Sequence, residues 1–451
     1  MDDTIAAIST SLGIGAISII RVSGSESIKI VNKIFKGSNL EKVNSHTINY
    51  GFIIEKEKII DEVLVSVLKA PKTFTTQDIV EINCHGGIST TNKVLELLLI
   101  NGCRIAEPGE FTKRAFLSGR IDLTEAEGIM DLINAKTEKS RNLAINQLSG
   151  KVSNLIKSLR QDLIEIIANI EVNIDYPEYE DIEEVTINML NDKLSNLKEK
   201  ISTILKESNN GKLIKEGIKT SIIGRPNVGK SSLLNNLLEE NKAIVTDIEG
   251  TTRDTVEGTL NIDGIVLNII DTAGIRKTDN IVEQIGVQKS LSLINDSELI
   301  LYVLNNNEYI AEEDLNILKE VVKKNHIIVI NKIDLEKKVD ESLLDSNNIV
   351  YISATNDEGI VDLKNKIKEI FNLEQLEKED MTYLTNARSI AILKQANEKI
   401  KDVEETIQNN LPIDIIEIDI KSIWNLLGEI IGETYDDELI DQLFSQFCLG
   451  K

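Results

Sequence analysis

Residues 224–231 read Gly-Arg-Pro-Asn-Val-Gly-Lys-Ser, a complete GxxxxGK[ST] phosphate-binding loop. Its glycines let the backbone turn sharply, so that amides from Asn227, Val228, Gly229, Lys230, Ser231 and Ser232 converge on phosphate oxygens at the positive end of a helix. Lys230 bridges the β- and γ-phosphates as a catalytic cation, and the Ser231 hydroxyl is a Mg2+ ligand. Strand-like Thr220–Ile223 precedes the loop and helix-like Ser232–Leu238 follows it, so a merely structural glycine turn is a poor reading. Asp271-Thr272-Ala273-Gly274 follows the apolar run Ile265–Ile270. The aspartate at that strand end would hold Mg2+ through water, and Gly274 would offer its amide to the γ-phosphate.

Asn331-Lys332-Ile333-Asp334 follows the strand-like Ile327–Ile330, and here the chain resembles Ras-type GTPases. The resemblance implies that the Asp334 carboxylate accepts from guanine N1–H and N2–H, a donor pair that adenine lacks. Ser353-Ala354, after Val350–Ile352, is similar to the fifth GTPase motif, which supports the base through a backbone amide. Two departures carry mechanism. Ile275 stands where Ras-type proteins place a water-orienting glutamine, so another group must do that work. The phosphate loop also contains Asn227, and residues 243–254 read AIVTDIEGTTRD. In the potassium-dependent GTPases that this pattern resembles, such an Asn and switch-loop oxygens hold K+ where an arginine finger would place positive charge. The implied K+ ligands are Asn227, Thr246, Ile248 and Thr251, with Thr252 as a second Mg2+ ligand.

These motifs need a scaffold. At 451 residues, a prior of roughly 150 residues per domain predicts about three domains. Residues 1–118 mix strand-like runs (Ala16–Val22, Glu62–Leu68, Asp78–Asn83) with helical ones (Ser25–Phe35, Thr90–Ile100), which predicts a small α+β domain. Within 119–212, Val152, Leu155, Ile156, Leu159, Leu163, Ile166, Ile167 and Ile170 recur at steps of three and four. Leu190, Leu194, Leu197, Ile201 and Ile204 repeat the pattern beyond Tyr176-Pro177, so two antiparallel amphipathic helices are expected. Residues 213–375 alternate β-rich and helical runs, the mark of a parallel sheet with crossover helices. Residues 376–451 return to helical patterning, although IDIIEIDI at Ile413–Ile420 has a β-branched content that locally favours a strand. The expected fold is multidomain α/β: a small N-terminal α+β domain and a helical domain into which a Ras-like P-loop GTPase domain is inserted.

The formal charge of −24 repels a polyanion over most of the surface, so RNA contact requires a local basic patch or a partner protein. Asp2 and Asp3 at the start argue against a secretory signal, and no run is long and apolar enough to span a membrane. A cytoplasmic protein is expected, with Cys84, Cys103 and Cys448 reduced.

Outside the GTPase block, residues 106–116 read AEPGEFTKRAF, residues 121–133 read IDLTEAEGIMDLI, and the chain finishes LLGEIIGE and FSQFCLGK. With these flanks the whole chain resembles the MnmE (TrmE) family of tRNA-modifying GTPases, and they separate it from Era-like or Der-like assembly GTPases. The resemblance implies a homodimer that joins an FAD-containing partner, MnmG, in a heterotetramer or larger complex. Together they add a carboxymethylaminomethyl or aminomethyl group at C5 of the wobble uridine of certain tRNAs. The flavin would belong to the partner, since no dinucleotide fingerprint occurs here. A one-carbon tetrahydrofolate, formyl or methylene, would bind Arg21, Glu81, Arg120 and terminal Lys451, where relatives often have Lys at the position of Arg120. A carboxylate suits the donor edge of a pterin, and cationic groups suit the glutamate tail. The resemblance further implies that Cys448 in the CLGK tail is catalytic and that Glu283, in IVEQIG, orients the attacking water. Cys84 and Cys103 read as structural, and His85 before Gly86-Gly87 as a residue that shapes a turn.

Overall fold

The structure is a computed structural model that describes residues 3–175, 180–240, 256–270, 291–344, 347–372, 384–409, 411–434 and 437–450. It divides into two compact units, the first from Met1–Met130, Gln147–Ser195 and Glu398–Lys451, the second from Asp131–Asn146 and Asn196–Asn397. The chain thus passes from the first unit to the second and back twice.

The first unit holds a seven-stranded sheet of β1 (Ile5–Ile8), β2 (Ile17–Ser23), β3 (Phe35–Gly37), β4 (Thr47–Glu55), β5 (Lys58–Leu68), β6 (Ile79–His85) and β7 (Arg104–Ile105), in the order β3-β4-β5-β6-β2-β1-β7. Its pairs are antiparallel except β1 with β7. Strand β5 shows why one face is covered: Val63, Val65 and Val67 alternate into the core while Leu64 on the other face is exposed. Helices α1 (Ser27–Ile34) and α2 (Ile88–Ile100) pack on the apolar face through Val31, Val94 and Leu98. The β2–β6 register sets Arg21 directly opposite Glu81.

Helices α3 (Glu110–Leu117), α4 (Leu123–Asn134), α5 (Glu138–Leu148), α6 (Lys151–Asp175) and α7 (Glu180–Glu216) follow. The spacing expectation holds for most of the stripe: Val152, Ile156, Leu159, Leu163, Ile166 and Ile170 are buried on α6, with Leu155 and Ile167 half-buried at its edge, and Leu190, Leu194, Leu197, Ile201 and Ile204 are buried on α7. Lys193 reaches back to Glu165 at 3.0 Å, as a chain reversal between α6 and α7 requires.

The second unit holds a six-stranded sheet of β8 (Ile218–Ile223), β9 (Val256–Ile262), β10 (Ile265–Ile270), β11 (Leu299–Asn305), β12 (His326–Asn331) and β13 (Ile349–Ile352), in the order β13-β12-β11-β8-β10-β9. Only the β9–β10 hairpin is antiparallel. Strand β11 is buried along its whole length because Leu301 and Val303 enter one core while Ile300, Tyr302 and Leu304 enter the other. Helices α8 (Lys230–Glu240), α9 (Glu312–Val321) and α10 (Ile360–Ile370) belong to this unit. The unit also takes in Asp131–Asn146 and the stretch 196–212, ahead of the expected 213–375, and Leu143 enters its core.

The remaining helices are α11 (Ala387–Gln408), α12 (Ile413–Ile431) and α13 (Asp437–Phe444). Residues 413–420 are helical despite their β-branched content, because Ile416, Ile420, Ile423 and Leu427 form one buried stripe that packs against α6. Tertiary packing outweighs the local preference. No helix among the described residues is long and apolar enough to cross a membrane.

Candidate functional sites

The second unit presents a nucleotide cradle at the carboxyl ends of its parallel strands. Strand β8 delivers the phosphate loop and α8 leaves from it, so Ser231 stands in the first turn of that helix. Gly229 has φ +100, and a Cβ there would lie 2.1 Å from Asn331 Nδ2, so both backbone and space require glycine. Through that gap Asn331 joins the two motifs: its Nδ2 donates to Val228 O at 2.9 Å and its Oδ1 accepts from Ala354 N at 3.1 Å. Lys332 Nζ donates to Asn227 O at 2.8 Å, and Ser353 Oγ donates to Asp334 Oδ1 at 2.6 Å. Asn227, Val228, Gly229, Lys230, Asn331, Lys332, Asp334, Ser353 and Ala354 therefore gather in one network. Here the Ala354 amide serves Asn331, and the Asp334 carboxylate is oriented by Ser353.

Lys230 arches over the loop, donating to Gly224 O at 2.7 Å and Arg225 O at 2.6 Å, and burial lowers its pKa. Phosphate oxygens in the same place would restore the charged form. Asn227 has a left-handed backbone, φ 64, and its exposed side chain makes no hydrogen bond among the described residues. One anchor had no local signal in the sequence. Arg225 pairs with the fully buried Asp314 of α9 at 2.8 Å, and Asp314 also accepts from Tyr302 Oη at 2.8 Å. Burial and the neighbouring carboxylate push the Tyr302 phenol up. Thr246, Ile248, Thr251, Thr252, Asp271, Thr272, Ala273, Gly274, Glu283 and Lys451 lie outside the described residues.

The first unit presents a cavity of about 650 Å³ lined by Arg21, Glu81 and Arg120 together with Lys72, Phe74 and Ser118 among others. Arg21 Nε donates to Glu81 Oε1 at 2.9 Å across β2 and β6. Arg120 Nη1 donates to Phe74 O at 3.0 Å, and its guanidinium lies 5.0 Å from the Phe74 ring centroid. The cavity wall formed by residues 73–77 is tied down by Thr73 Oγ1 donating to Gln77 O at 2.6 Å and by a 2.7 Å bond between the Ser23 and Thr75 hydroxyls. Gln77 in turn accepts at 3.0 Å from Arg114, whose partner on α3 is Glu110 at 2.9 Å. The EPGEFTKRAF segment thus supports the cavity from behind.

The carboxyl-terminal tail folds onto this same unit. Gly450 O accepts from Ser9 Oγ at 3.0 Å and from Arg21 Nη1 at 3.3 Å, while Cys448 O accepts from Gly109 N at 3.3 Å. Exposed Cys448 is thereby held next to the residues that reach Arg21, an approach that sequence spacing alone does not reveal. Cys84 and Cys103 are buried, and desolvation raises both thiols, Cys103 to about 12. His85 Nδ1 lies 2.7 Å from Asp61 Oδ1, and its backbone amide donates to Asp61 Oδ2 at 2.8 Å. The hydrogen bond and charge of Asp61 raise the His85 pKa.

Residues 4–120 match the family described as the GTP-binding protein TrmE N-terminus, and residues 123–448 match the MnmE helical domain. The tRNA modification GTPase MnmE of Bacillus mycoides (strain KBAB4) is 52% identical over an aligned 455 residues, covering 100% of this chain and 99% of that protein. The protein of the same name from Bacillus licheniformis is 53% identical over 458, covering 100% of each. Among solved structures, the G domain of the T. maritima FeoB iron transporter is 29% identical over 34% of this chain and 98% of that one, at a TM-score of 0.26.

Proposed function

Since the chain belongs to the MnmE family of tRNA modification GTPases, we propose that its GTP hydrolysis is potassium-dependent and serves C5 modification of the wobble uridine with a one-carbon folate held in the N-terminal cavity. An FAD-containing, MnmG-like partner supplies the flavin, and this chain takes part as a homodimer in the cytoplasm. Folate is formyl- or methylene-tetrahydrofolate. The group added to the tRNA is carboxymethylaminomethyl or aminomethyl.

On the nucleotide side, Asp334 reads guanine while Lys230 turns from its loop carbonyls to the β- and γ-phosphates. Ser231, at the start of α8, and Thr252 would hold Mg2+; Asn227, whose amide side chain is available, would hold K+ with Thr246, Ile248 and Thr251. Bound there, the cations would offset charge that develops in phosphoryl transfer. Glu283 orients the water that attacks the γ-phosphate, giving GDP and inorganic phosphate.

On the folate side, the observation that carries the reading is one cavity that gathers Arg21, Glu81 and Arg120 from distant parts of the chain. Its volume of about 650 Å³ falls in the ~300–1,000 Å³ range of small-molecule sites. Glu81, oriented by Arg21, can accept from the donor edge of the pterin, with Arg120 and Lys451 toward the tail. Cys448, on the tail whose Gly450 carbonyl reaches Arg21, would serve the carbon transfer. Calorimetry of a reduced folate on the full chain is the test. Arg21→Ala and Glu81→Ala should each abolish the binding heat while leaving GTP affinity unchanged; retained folate affinity in both would move the pocket elsewhere.

A further inference from the structure

The charged side chains that line the N-terminal cavity are unevenly paired. Arg21 and Glu81 offset each other at 2.9 Å. Arg120 and Lys72 form no ion pair among the described residues: Arg120 is fixed by the Phe74 carbonyl and ring, which hold it without neutralising it, and Lys72 is exposed. The cavity therefore carries two positive charges that no ion pair among the described residues offsets, with Glu125 acting on Arg120 only at longer range, in a chain whose net charge is −24. That local reversal of sign favours a ligand with several carboxylates.

The two cations differ in kind. A guanidinium held over a ring offers a planar fork to one carboxylate, whereas a lysine ammonium is a point charge on a flexible stem that can follow carboxylates at varying distance. Lys72 is nonetheless not adrift, because Thr73 next to it is buried, and its amide donates to Pro71 O at 2.9 Å while its hydroxyl donates to Gln77 O. We propose that Lys72 is a specificity-determining residue that favours reduced folates carrying additional γ-linked glutamates, with Arg120 taking the first glutamate and Lys72 the carboxylates beyond it. This rests on the folate reading of the same cavity.

The test is calorimetry on the full chain with monoglutamyl and triglutamyl 5-formyltetrahydrofolate. The triglutamyl form should bind more tightly. Lys72→Gln should reduce its affinity by about fivefold and leave the monoglutamyl affinity unchanged, and Lys72→Arg should keep the preference. Added salt should narrow the gap between the two ligands in the wild type but not in Lys72→Gln. Equal affinity for both ligands, or a preference that survives Lys72→Gln, would overturn the role of Lys72 and leave the folate site standing. Binding of neither ligand would overturn the folate reading and this inference with it.

Discussion

The nucleotide cradle is assembled from short contiguous words that each follow a parallel strand, whereas the N-terminal cavity takes single residues at positions 21, 81 and 120 and draws a tail carbonyl from position 450 toward one of them. The difference is physical. A phosphate is recognised mainly by consecutive backbone amides, so its site has to be continuous in sequence and shows up as a pattern. A pterin with a flexible anionic tail is recognised by separate side chains, which any elements can supply provided that the fold brings them together. The two sites also differ in charge. In the cradle, half-buried Lys230 is lowered by desolvation, while the cavity keeps Lys72 and Arg120 in solvent contact.

The largest expected effect lies in the cradle. Asp334→Asn replaces the carboxylate proposed to accept two guanine donors with an amide that presents a donor of its own, so a donor on the bound guanine would be left unpaired. GTP affinity should fall by about 3 kcal/mol, on the order of a hundredfold, and xanthosine triphosphate should gain. Fluorescence titration with both nucleotides reads this directly. Unchanged GTP affinity, with no gain for xanthosine triphosphate, would remove Asp334 from base recognition and with it the claim that contiguous words define this site.

A smaller effect separates a bound cation from general screening. At equal ionic strength, turnover in KCl should exceed that in NaCl by on the order of tenfold, and Asn227→Ala should abolish that preference with GTP affinity largely retained. Light scattering with GDP and aluminium fluoride should show potassium-dependent pairing of GTPase domains, which Glu283→Ala should leave in place while it slows hydrolysis. Equal rates in the two salts would sink the potassium mechanism and leave GTP hydrolysis untouched.

How much of this was legible varied with the kind of contact. The α6 and α7 stripes were legible because helical burial repeats every three to four residues, and the cradle strands because each is an apolar run before a motif. Residues 413–420 read ambiguously because five isoleucines in that stretch suit a strand locally, and packing against helix α6 decides the matter. Arg225 with Asp314, and the Gly450 contact with Arg21, carried no signal, since each joins two residues far apart in sequence through a single contact. Arg21, Glu81 and Arg120 are legible only through family resemblance and Lys72 not at all, because a lysine in a loop looks like any solvated lysine until the fold sets its neighbours.

The smallest expected effect concerns His85, which sits at the end of β6, the strand that carries Glu81, yet does not line the cavity. Its imidazole and amide both bind Asp61, so its work is to fix the end of that strand. Asp61 raises the imidazole pKa above its ordinary 6.5, which means that the folded chain binds a proton more readily than the unfolded one. The stability that this pair contributes is fully present below the ordinary value and is lost as pH rises through the raised folded value. His85→Gln keeps a hydrogen bond to Asp61 but cannot titrate, so its denaturation midpoint should approach the wild-type midpoint near about pH 8.5 and fall slightly below it near about pH 5.5. Folate affinity should be the same in both proteins, because the residue serves the strand rather than the ligand. A denaturant series at both pH values, with calorimetry alongside, distinguishes the roles: parallel pH profiles would remove the ion pair from the account, and a loss of folate binding would bring His85 into the cavity's chemistry as a proton-handling group.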